Sequence, residues 1–179
     1  MPDFDVVDLG PTDHVAEGET APDFTRPLVT DEFWEDRTLA DLAADGPVVL
    51  VFTTMVGAFV AEYVLTELRD RGIGAEAVGG EADASPDPTV LAVSISSPYE
   101  ISRFLDEKEI PYGVFSDPAN DVAETYGVVH DLDGMAGIAE PRPAIFVLDE
   151  DRTVESAWVG TEWPEFPDYD ELEAALANR

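Results

Sequence analysis

Three short runs of the chain are apolar almost without interruption: PVVLVF (47–52), VLAVSI (90–95) and AIFVLD (144–149). A strand with one face in water alternates polar and apolar residues, so a run without alternation marks a strand buried on both faces. Such strands need helices above and below, and the intervening segments supply them. Residues 57–71 place Phe59, Val60, Tyr63, Val64 and Leu68 at helical spacing and end at Gly72. Residues 98–108 follow Ser97 with Pro98, an N-cap and a proline at the first helical position, and carry Ile101, Phe104 and Leu105 inward. After a short strand at 112–115, Pro118 opens a further helix with Val122, Ala123 and Tyr126 inward and Gly127 at its end. Residues 153–159 read as the hairpin partner of the third apolar run, and 168–178 as a closing helix. The acidic, Gly- and Pro-rich stretch 76–89 reads as a surface loop, and residues 1–20 as polar and loose. The expected architecture is α/β, a mixed sheet with helices on both faces.

Charge narrows the function classes. Forty Asp and Glu oppose nine Lys and Arg, a net charge of −31, and Lys108 is the one lysine. A surface this negative repels phosphate backbones and anionic lipid, so nucleic acid and membranes are not expected partners. No stretch has the 18 apolar residues of a membrane span, and the opening MPDFDVVDLG lacks the basic start and apolar core of a secretory signal. A cytoplasmic location is expected. The composition fits a cytoplasm at high salt, because molar salt shortens the Debye length to about 3 Å and screens repulsion among surface carboxylates.

The chain has no cysteine. Disulfides, thiolate metal sites and thiol nucleophiles are all removed. That absence matters because of a resemblance spread over most of the chain. The opening EGETAPDFTRPL (17–28) is similar to the Gly-x-x-Ala-Pro-Asp-Phe entry of the peroxiredoxin (AhpC/TSA, redoxin) family. TLADLAADGPVVLVF (38–52) is similar to the segment leading into that family's active site. LAVSISSPYEISRFLDEKEIPYGVFSDPANDVAETYGV (91–128) resembles its middle third, and RPAIFVLDEDRTVESAWVG (142–160) its late strand and hairpin. The resemblance runs from about residue 17 to 177. It implies one thioredoxin-like domain over 17–179 after a loose lead-in at 1–16.

The resemblance also says where chemistry should sit. The family carries Pro-x-x-x-Thr-x-x-Cys on the loop and first helical turn after the central strand. A helix N-terminus and an arginine lower the thiol pKa there, and the thiolate attacks peroxide to give a sulfenic acid. Anchored on Phe52 and on Arg69–Asp70, the motif's proline falls on Thr54, its threonine on Ala58 and its cysteine on Ala61. Leu65 or Thr66 stands where one subgroup keeps a resolving cysteine, and a gapped register puts Tyr63 at the cysteine instead. The one candidate for the activating arginine is Arg142, one residue upstream of the nominal position, which Pro143 occupies. By analogy with thioredoxins, Arg142–Pro143 is a candidate for a cis bond, and the sequence leaves cis or trans open.

Other residues weigh less. Tyr63 shares helical spacing with Phe59, which favours packing over redox work. His130 has Asp131 and Asp133 nearby, but one histidine among so many acids makes no metal site. His14 reads as solvated. Ser94, Ser96 and Ser97 end a strand where α/β ligand sites often lie, yet Ser97 reads better as a cap. GGEADAS (79–85) lacks the Gly-Lys-Ser/Thr of a phosphate loop. Trp158, Trp163 and Phe166 form either a contact patch or the anchor of their loop. No cofactor and no metal is expected. Three functional readings stand: a non-catalytic binding or regulatory module, an oxidoreductase acting without a thiol through Met55, Tyr63 or an unidentified cofactor, and a purely structural domain. The resemblance implies a homodimer, and the binding or regulatory reading adds a heteromer with an active peroxiredoxin.

Overall fold

The computed structural model describes residues 5–74, 87–130 and 136–179. In chain order the elements are β1 (Val7–Asp8), β2 (Thr25–Val29), β3 (Trp34–Thr38), α1 (Leu39–Ala43), β4 (Val48–Phe52), α2 (Phe59–Asp70), β5 (Thr89–Ser94) and α3 (Pro98–Lys108). There follow β6 (Gly113–Ser116), α4 (Asp121–Tyr126), β7 (Val129–His130), β8 (Glu140–Pro141), β9 (Ala144–Leu148), β10 (Val154–Val159), β11 (Glu162–Trp163) and α5 (Tyr169–Ala177).

Seven strands form the central sheet in the order β10-β9-β4-β5-β6-β2-β3. β4, β5 and β6 are parallel, whereas β9, β10, β2 and β3 join antiparallel. The uninterrupted apolar runs are β4, β5 and β9, at the centre. In β4, Val49 and Val51 face one core with α2, α3 and Leu172 of α5, while Val48, Leu50 and Phe52 face the other with α1 and α4. Both faces are covered, so both parities must be apolar.

Local chemistry sets the helix ends. Ser97 caps α3 in a capping box: its Oγ accepts from Glu100 N at 3.4 Å, and Ser97 N donates to the Glu100 carboxylate at 3.0 Å. Gly127 ends α4 at φ +74°, and a Cβ there would strike the backbone carbonyl of Asp13.

Two features differ from the sequence reading. β2 and β3 form a hairpin that went unread, because WEDRT on the sheet edge has no buried face to create a pattern. The segment read as loose is fastened from residue 7 onward: β1 pairs with β11, Thr12 Oγ1 donates to Gly127 O at 2.8 Å, and Val15 N donates to Tyr126 O at 3.1 Å. The Arg142–Pro143 bond, which the sequence left open between cis and trans, is trans; among the described residues the cis bond is Trp163–Pro164. Residues 75–86, which include the GGEADAS stretch, and the acids Asp131 and Asp133 beside His130 lie outside the described residues.

Candidate functional site

The carboxyl ends of β4 and β5 carry the loop 53–58 that leads into α2. A short loop between a buried strand and a helix leaves backbone groups without ladder partners, and these must be satisfied locally. Buried serines do so. Ser94 Oγ donates to Thr54 O at 2.8 Å, Val56 N donates to Ser96 Oγ at 3.1 Å, and Ser116 Oγ donates to Ser96 O at 2.7 Å. The strand-end serines therefore brace the loop. A turn closed by Ala58 N donating to Met55 O at 2.9 Å then delivers the chain into α2. Ala58 stands at the N-cap with extended backbone and no side-chain bond.

The predicted positions separate. Thr54 is buried, and its hydroxyl reaches only Met55 O, at 3.5 Å. Ala61, the third residue of α2, is 0% exposed and packs in the core. Of the three, Ala58 alone lines the adjoining cleft. That cleft encloses about 540 Å³ between α2 and α3, and Met55, Gly57, Ser96, Arg103 and Lys108 also line it.

Arg142 is 7% exposed and turned toward the amino-terminal segment. Its guanidinium donates to Gly10 O at 2.6 Å, Leu9 O and Val129 O at 3.2 Å each, and Gly160 O at 3.4 Å. Burial lowers its pKa from the usual arginine value.

The site also contains a residue that no pattern in the sequence singles out. Glu140 is 8% exposed, and its Oε1 accepts from Met55 N at 3.2 Å. It is one of forty acids, and no motif distinguishes it. Its cross-strand neighbour is His130, whose ring centroid lies 5.7 Å from that of Trp163. Burial pushes the Glu140 carboxyl up from its ordinary value, and the Met55 N–H bond pulls it down. A carboxyl raised in the folded state contributes stability below its unfolded pKa, about 4.3, and loses it as pH rises through the folded value. Glu140→Gln keeps the acceptor and removes the buried charge, so urea midpoints should rise at pH 7 and become flatter across the acid range. A drop at pH 7 would show that the charge itself is needed there.

Tyr63, expected inward, is 60% exposed. Its ring meets Phe59 and Phe166 at centroid distances of 6.2 and 6.1 Å, and Leu65 takes the inward place. Trp158 and Trp163 pack against the core on the α2 side, with Phe166 at its rim. Among the described residues, no helix is long and apolar enough to cross a membrane.

Comparison with known proteins agrees with this architecture. A thiol peroxidase of Staphylococcus aureus (strain MRSA252) is 27% identical over 166 residues, covering 92% of this chain and 89% of its own. The crystal structure of peroxidoxin BcpB from Mycobacterium tuberculosis matches with a TM-score of 0.70 at 25% identity, over 92% of this chain and 96% of that one. A peroxiredoxin-like protein from Aquifex aeolicus matches with a TM-score of 0.71 at 24% identity, over 97% of this chain and 91% of that one. The fold is thus the thioredoxin-like fold of peroxiredoxins. The AhpC/TSA family model matches residues 18–157, and with most of its length matched the chain belongs to the AhpC/TSA family.

Proposed function

We propose that this protein is a peroxiredoxin-like module that does not reduce peroxide through a thiol and works by binding. The observation that carries this is the absence of cysteine from all 179 residues. The positions of the family motif add to it. Ala58 offers no hydroxyl, Ala61 no nucleophile, and the Arg142 guanidinium is engaged by backbone carbonyls. Arg142 serves in this reading as the fastener of the amino-terminal segment. The partner is a second copy or an active peroxiredoxin, in a cytoplasm at high salt. The test is steady-state peroxide consumption with a dithiol in multimolar KCl, followed by native mass spectrometry of the protein with candidate partners. No turnover above buffer, and a complex, are expected. Sustained turnover would overturn the non-catalytic half of the reading, and a monomer alone with every partner would overturn the binding half.

A further inference from the structure

The cleft beside α2 still holds a sulfur atom. The chain's sulfur is confined to three methionines, Met1, Met55 and Met135, and Met55 lines the cleft. Its backbone is held fast: the N–H donates to Glu140, and the carbonyl accepts from Ala58 N. Its neighbours Thr54 and Val56 are tied to the serine brace. A flexible thioether therefore projects from a fixed anchor, half-buried, into a cleft large enough for a small polar solute. Arg103 and Lys108, two of only nine cations in the chain, line the same cleft together with the carboxylates of Glu62, Glu100 and Glu107. The N–H groups of the two cations are donors for an oxygen that gains negative charge.

We infer that Met55 is a reversible peroxide-oxidation site in this cleft. The step balances with hydrogen peroxide as oxidant. The sulfur lone pair attacks one peroxide oxygen, and the O–O bond breaks. The departing oxygen takes the proton of the transferred one and leaves as water. Sulfur is oxidised by two electrons, and peroxide is reduced to water. A dithiol acting through a methionine sulfoxide reductase returns the thioether, with a disulfide and water as the other products. Oxidation turns an apolar lining group into a strong acceptor in the cleft that Arg103 and Lys108 also line. Lys108 now pairs with Glu62 at 2.9 Å and so links α3 to α2.

This inference rests on the non-thiol reading of the cleft, and its test is separable from that reading. Folded protein in multimolar KCl is treated with equimolar hydrogen peroxide. The gain of one oxygen at Met55, Met1 and Met135 is then followed by peptide mass spectrometry, with the same protein in urea as control. Met55 should oxidise about tenfold faster than Met1 in the folded protein, the effect of one charged donor on the leaving oxygen. The ratio should fall to about one in urea, and Arg103→Gln should lower it in the folded state. Equal rates for Met55 and Met1 in the folded protein overturn the inference and leave the binding reading intact. Steady dithiol-driven turnover without any reductase would instead overturn the non-catalytic half of the proposed function.

Discussion

Arg142→Met should cost about 3 kcal/mol or more and release the amino-terminal segment while the central sheet stays formed. The guanidinium donates to carbonyl oxygens of Leu9, Gly10, Val129 and Gly160, which belong to three separate stretches of chain. Methionine fills similar volume but donates nothing, so those carbonyls lose a charged donor in a largely water-free place. Arg142→Lys should recover only part of the loss, because one ammonium on a flexible stem cannot span the directions that a planar guanidinium reaches. Urea unfolding in multimolar KCl gives the stability change. Hydrogen exchange locates it, and the Val15 amide, which donates to Tyr126 O, should lose protection before the amides of β4. An unchanged midpoint, or uniform loss of protection across the sheet, would remove Arg142 as the fastener.

The same residue shows what the sequence could and could not reveal. The covered sheet was legible because β4, β5 and β9 are apolar at both parities, and burial on two faces is the physical cause of that pattern. α3 was legible because Ser97, Pro98 and Glu100 act locally, within one turn. The hairpin of β2 and β3 was not, since an edge strand such as WEDRT gains no burial that composition would record. Arg142 could be named from the sequence, but its direction could not. Its partners at Leu9 and Gly10 lie over 130 residues away and contribute only backbone oxygen, which leaves no mark on side-chain identity. Glu140 was invisible for the opposite reason: its type is so abundant here that burial alone sets it apart.

Restoring the thiol alone should not restore a peroxidase. Ala61→Cys places a sulfur at a fully buried position on the first turn of α2. The helix N-terminus favours the thiolate there, but burial in apolar surroundings opposes it. The Arg142 guanidinium is committed elsewhere, and Ala58 supplies no hydroxyl to orient peroxide. Adding Ala58→Thr places a hydroxyl at the uncapped N-cap of α2, and adding Pro143→Arg puts a guanidinium at the position where the family resemblance expects one. The triple variant should consume peroxide about 10³-fold faster than Ala61→Cys alone, the scale set by preorganised donors at a developing charge. Stopped-flow peroxide consumption with a dithiol, in multimolar KCl, measures both. A single variant as fast as the triple would mean that the loop and helix terminus suffice to activate a thiol. An inert triple, shown by circular dichroism to be folded, would mean that the cleft beside α2 has lost the shape of a peroxide site along with its residues.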